Sequence, residues 1–195
     1  MKRWNIVTIP LERNAKDTRT ESWKIQGSKS EWGKLENKIK LNGKLDRPQW
    51  VELITKLKKN FGYSCIDEIN DKKLSLGIIE PNIMDMRLAK RKSQETALQT
   101  TLFSSEPFLT VQNYDVQPRI TYRCSKCTSQ KPHDQQVLEW GVYEWLRLNH
   151  NEQEREQVWK NLHIGESGYD TSFLVGNMHL HRNSFMIISI FRYKK

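Results

Sequence analysis

Cysteine is scarce in this chain: Cys65, Cys124 and Cys127 are the only three among 195 residues. Three unevenly spaced thiols exclude a disulfide framework, and an odd count fits a reducing compartment, so the expected location is cytoplasmic. Long hydrophobic runs are also lacking. No stretch reaches the ~20 apolar residues of a membrane-spanning helix, and MKRWNIVTIPLERNAKD returns to charge too soon for a signal peptide or an anchor. A membrane partner is therefore not expected. Internal repeats and low-complexity tracts are absent, as is any established nuclease, methylase or ribosomal-protein signature. Acid is in short supply, because 23 Asp and Glu against 32 Lys and Arg leave a formal charge of +9. That excess makes phosphate polyanions the first partners to consider.

The remaining composition is that of a folding chain. Hydrophobic residues at 36% and charged residues at 28% are globular proportions. The length suits one domain or two small ones without staples. Patterning suggests a division into an N-terminal α/β half (1–86), a basic and polar linker or long loop (87–118), and a C-terminal helix-plus-hairpin half (119–195), all within one continuous domain or two intimately packed halves. In the first half, Trp4 to Ile9 and Trp23-Lys24-Ile25 read as strands, and LENKIKLNGKL as a further strand turned at Asn42-Gly43. Asp46 as N-cap, Pro48 in the first turn and Trp50, Val51, Leu53, Ile54 and Leu57 at helical spacing predict a helix ending near Phe61-Gly62. CIDEIN and LSLGIIEPNIMDM read as strands, with Pro81 at a kink or edge.

In the C-terminal half, HDQQVLEWGVYEW predicts a long amphipathic helix starting at Asp134, with Leu138, Gly141, Val142, Trp145 and Leu148 on one face and Trp140 widening it. A second helix follows over 151–162. SFLVGNM and FMIISIFRY then form a hairpin whose last strand, apolar on both faces, belongs inside a sheet. The fold class expected is α+β: a mixed or antiparallel sheet packed by one long Trp-rich amphipathic helix and closed by a C-terminal β-hairpin.

Two constellations carry chemistry. Cys124-Ser125-Lys126-Cys127 supplies half of a tetrahedral zinc site, and His133, brought round by Pro132, is a third ligand. The fourth must come from elsewhere: Cys65, Asp134, or His179 or His181 of the HxH pair. The alternative is a pair of reduced thiols on a strand-to-helix turn. Separately, His133, Asp134, Glu139 and Glu144, helped by Glu80 and Asp85, suggest the hard-metal or acid/base cluster of a nuclease, although on one helix these carboxylates do not converge.

Cations interleaved with flat rings are the pattern expected of a nucleic-acid surface, since phosphates position and rings stack on bases. The candidates are Lys2, Arg3, Lys24, Lys34, Arg87, Lys90, Arg91, Lys92, Arg119, Arg123 and Arg182. Within the 93–113 loop, Gln99 to Leu102 starts like a sliding-clamp-binding peptide, but Ser105 and Glu106 stand where paired aromatics should be. The loop nevertheless offers a place for a larger protein partner.

HDQQVLEWGVYEW together with SFLVGNMHLHRNSFMIISIF resembles a set of small uncharacterised prokaryotic, chiefly archaeal, proteins. They share a Cys-containing segment, a Trp-rich helix and a terminal hairpin. The resemblance covers mostly the last eighty residues and implies that these segments share one core, without an activity to transfer. The function expected is nucleic-acid binding, to DNA or RNA, with a small structural zinc site at Cys124, Cys127 and His133. A metal-dependent nuclease or a subunit of a nucleic-acid-processing or defence complex is the rival, and a protein-interaction adaptor the third reading.

Overall fold

The computed structural model describes residues 3–15, 23–90, 114–127, 129–178 and 181–194. Lys2, Arg91, Lys92, His179 and the whole 93–113 loop with its clamp-like peptide lie outside the described residues.

The fold is α+β, as the patterning predicts. Two short antiparallel ladders open the chain. Strand β1 (Asn5–Thr8) pairs with β4 (Lys40–Lys44), and β2 (Leu11–Arg13) pairs with β3 (Trp23–Ile25). Between β3 and β4, Lys29–Lys38 forms a 3-10 segment rather than the strand expected of LENKI, and Asn42-Gly43 lies within β4 instead of turning it. Helix α1 (Arg47–Phe61) begins where its cap signals place it. The Asp46 carboxylate accepts from the Gln49 N–H at 2.9 Å, and the Gln49 side chain accepts the Asp46 N–H at 3.0 Å. Trp50 of this helix stacks on Trp4 with centroids 4.9 Å apart and meets Tyr193 edge-on, so aromatic contacts tie the N-terminal segment to the last strand.

The core lies between two sheets. One has four strands in the order β11-β10-β6-β5: β11 (His181–Lys194), β10 (Tyr169–Met178), β6 (Leu76–Ile79) and β5 (Gly62–Tyr63), the last pair parallel. The other has three antiparallel strands, β7 (Pro81–Lys90), β8 (Val116–Cys124) and β9 (His133–Gln136). Strand pairing runs across both expected linker boundaries, with Arg87 opposite Arg119 and Lys90 opposite Val116. Fully buried Tyr122 of β8 meets fully buried Phe173 of β10 edge-to-face at 5.2 Å, one of the contacts that join the sheets.

Further expectations are corrected here. CIDEIN is not a strand but the short helix α2 (Ile66–Asp71), whose Ile66 and Ile69 are buried at i, i+3 spacing. Gly77 permits its approach, since a Cβ there would sit 2.4 Å from Ile69 Cδ1. HDQQ is not the start of a helix: α3 covers only Trp140–Leu148, because 133–136 completes the edge of β8 and Gln135 holds the buried Tyr122 hydroxyl at 2.8 Å. The delayed start rotates the buried face to Val142 and Leu146, so Trp140 is 72% exposed, Leu148 is exposed, and Trp145 is half-buried, its indole donating to the Glu154 carbonyl. Finally, β11 is an edge strand rather than an interior one. Its free edge is covered by the segment before α3. Leu138 N–H donates to Ile187 O, and buried Glu139 accepts from Ile190 N–H and Ser189 Oγ. The expected second helix appears as two short pieces, α4 (Glu152–Glu156) and α5 (Val158–Asn161).

Candidate metal centre

Strand geometry assembles the site. Side chains alternate along β8, so Ile120, Tyr122 and Cys124 face the core while Arg119, Thr121 and Arg123 face outward. Tyr122 pairs directly with His133, which places the imidazole on the same inner face, 5.5 Å from the phenol ring. Beyond Cys124 the chain reverses in a tight turn in which Cys127 N–H donates to Cys124 O at 3.3 Å. Residue 64 anchors that turn. Its carbonyl accepts from Lys126 N–H at 3.3 Å and from Ser125 Oγ at 3.2 Å, which brings Cys65 beside Cys127. Glu68 in turn accepts from the Ser64 N–H and hydroxyl. With the Lys72 ammonium, these bonds pull the Glu68 carboxyl down to about 2.

Four groups result. One ligand atom from each of Cys65, Asp67, Cys127 and His133 lies within 4.8 Å of all the others, a spacing that a metal ion could bridge. His133 Nε2 is 3.3 Å from Cys127 Sγ and 3.7 Å from Cys65 Sγ. The Asp67 carboxylate accepts from the Cys65 thiol at 3.4 Å. Burial pushes the Cys65 and Cys124 thiols up and the His133 imidazole down, which favours the neutral form of each of these three groups. Asp67 is the member the sequence reading missed. The signal was present in Ser64-Cys65-Ile66-Asp67, a cap-like S-x-x-D ahead of a helix read as a strand.

The other donors weighed for this site go elsewhere. Asp134 points to the outer face, where Arg87 and Arg119 sit directly opposite each other and converge on it, with Arg87 Nη2 at 2.7 Å and Arg119 Nε at 3.1 Å. Burial alone would raise the Asp134 carboxyl, but the two guanidiniums hold it below the usual range. Asp134→Asn leaves two like charges opposed and is expected to cost about 1 kcal/mol at pH 7 in chemical denaturation. Because the folded value is depressed, this difference is present above the ordinary carboxylate value and fades as pH falls through the lowered one. Glu139 accepts from Arg3 and covers the β11 edge. His181 is exposed at the start of β11. His133, Asp134 and Glu139 thus have three different sets of partners.

The cations singled out from the sequence are distributed over the surface. Arg87, Arg119 and Arg123 share the outer face of the three-stranded sheet by register. Arg123 reaches from that face to the Ser129 and Gln130 carbonyls, holding the loop that returns to His133. Arg3 contacts Ile190 O and Glu139, and Lys24 pairs with Glu12. Lys34, Lys90 and Arg182 are exposed.

Among the described residues no helix is long and apolar enough to cross a membrane. No curated protein and no solved structure matches the chain. A family does match, over residues 64–195, a span that includes every residue of the pocket, the three-stranded sheet and all of the four-stranded sheet but β5. The chain therefore belongs to the family described as "Domain of unknown function (DUF8757)".

Proposed function

We propose that the chain is a nucleic-acid-binding protein whose contact surface is the outer face of the three-stranded sheet, with a zinc ion ordering the adjoining turn. The observation that carries this reading is the register that puts Arg87, Arg119 and Arg123 on one face, continuous through Arg123 with the loop of the metal pocket. Lys126 and Lys131 are exposed in that same turn, and the chain's charge of +9 supplies the long-range attraction. The partial neutralisation of Arg87 and Arg119 by Asp134 leaves them positioned rather than mobile, which suits phosphate contacts that fix orientation.

Salt titration tests it. For duplex DNA and for RNA, the logarithm of affinity should fall linearly with the logarithm of salt, by about 0.9 per phosphate contacted on B-DNA. The Lys126→Ala, Lys131→Ala double variant should flatten that slope by roughly 2 without altering the melting temperature. Absence of binding to either nucleic acid at low salt overturns the reading.

A further inference from the structure

Four donor atoms meet in the pocket, and the free, buried Cys124 thiol beside Cys65 is a fifth candidate, one more than a tetrahedral ion accepts. We propose that the resident zinc is held by Cys65, Cys124, Cys127 and His133, a closed site of three thiolates and one imidazole with Asp67 outside the coordination shell. This rests on the metal-binding reading above and selects among its ligand sets.

Cys124 lies outside the tightest group of four atoms, yet three features direct it there. Alternation along β8 and the pairing of Tyr122 with His133 place its side chain on the inner face with the imidazole. The turn closed by Cys127 N–H on Cys124 O brings two sulfurs, three positions apart, to one side of the chain. The buried Cys124 thiol also lies close enough to Cys65 for the two sulfurs to act on each other. Both sulfurs belong to buried residues. Two water-excluded sulfurs on the same inner face as the imidazole make a soft donor set of the kind zinc takes.

Asp67 is different. The residue is exposed, and its hydrogen bond to the site is with the Cys65 thiol, accepted at 3.4 Å, although its oxygen lies within 4.8 Å of the other donors. Metal entry displaces that proton to solvent, leaving carboxylate and thiolate facing each other as like charges. The carboxylate then turns towards solvent while Cys124 takes the fourth position. Three thiolates and Zn²⁺ leave one negative charge, and the Arg123 guanidinium, held on the Ser129 and Gln130 carbonyls of the loop that returns to His133, offsets it. Soft sulfur donors select zinc over magnesium or calcium. With all four positions taken by protein, no metal-bound water is available, so the ion orders the turn and performs no hydrolysis.

X-ray absorption at the zinc edge of the full chain decides the set without mutation. Expected are three sulfurs at about 2.3 Å and one nitrogen at about 2.0 Å. Two sulfurs with two light ligands overturn the proposal while the metal-binding reading stands; absence of stoichiometric zinc overturns both. In the cobalt-substituted protein, Cys124→Ser should lower the thiolate-to-cobalt charge-transfer intensity by about one third, while Asp67→Asn leaves it unchanged and shifts zinc affinity by less than about tenfold. The reverse pattern overturns the proposal. If Cys124→Ser does not fold, the absorption measurement on the unmodified chain decides alone.

Discussion

Replacing His133 with alanine is expected to weaken zinc retention about a hundredfold and to release residues 64–67 and 124–133 together. A structural zinc contributes roughly 10–16 kcal/mol of binding free energy in small zinc modules, so one of four ligands accounts for about 3 kcal/mol, or two decades in affinity. The two segments should loosen as a unit because they share their anchors. Cys65 and Cys127 both meet the same imidazole nitrogen, and residue 64 holds the turn through its carbonyl. Competition with a chromogenic chelator measures the affinity, and amide hydrogen exchange reads the loosening. Exchange confined to the turn, with 64–67 still protected, would argue that the metal is not what joins them.

The pH dependence has a definite sign. Burial holds the Cys65 and Cys124 thiols above their ordinary value, so binding zinc must expel their protons, whereas His133, held below its ordinary value, is already neutral near pH 7. Apparent affinity therefore rises with pH through neutrality, by about tenfold per unit for each thiol proton released. Acid reverses this first at the sulfurs, and the imidazole competes only below its lowered value. Zinc release that begins with histidine protonation near pH 6.5 contradicts this order.

The legible parts of the fold are those where local chemistry and tertiary demand agree. Asp46, Pro48 and the spacing of Trp50, Ile54 and Leu57 specify α1 by capping and period alone, and the helix begins where they indicate. The terminal hairpin is legible for the same reason. The errors fall where pairing overrides local pattern. HDQQVLEW has helical periodicity, but β8 presents an unpaired edge, and a strand at 133–136 satisfies it while burying Gln135 against the Tyr122 hydroxyl. No window of sequence shows that edge. The same shift moved Trp140 from the core to the surface and took Asp134 out of the metal argument, since strand alternation sends it to the face opposite His133. Cys65 was one of several distant donors, and only the anchoring of the turn on residue 64 chooses it. A contact between residues 64 and 126 has no local trace, because the intervening strands set its length.

Phe173→Ala should be the most damaging single change in the core. Phe173 is fully buried in β10, between Ile79 of β6 and Ile190 of β11, and its ring meets Tyr122 of the opposing sheet at 5.2 Å. Truncation removes that contact from both sheets at once and leaves a cavity that neither can close alone, for a loss of about 3–5 kcal/mol. Against a total stability on the order of 5–15 kcal/mol, that is about a fifth or more, and the melting temperature should drop by roughly 6–20 °C. Tyr122→Phe is the informative comparison. It keeps the ring against Phe173 but strands the buried Gln135 carbonyl oxygen, a cost of about 1–3 kcal/mol. Because the Tyr122 ring also backs His133, Phe173→Ala should weaken zinc binding, though by less than His133→Ala, whereas Tyr122→Phe should leave it nearly unchanged. Urea denaturation at saturating zinc measures the losses. A loss below about 1 kcal/mol for Phe173→Ala would mean that the sheets do not depend on this contact for a common core, and that the pocket is stabilised by its own ligands rather than by the packing beneath it.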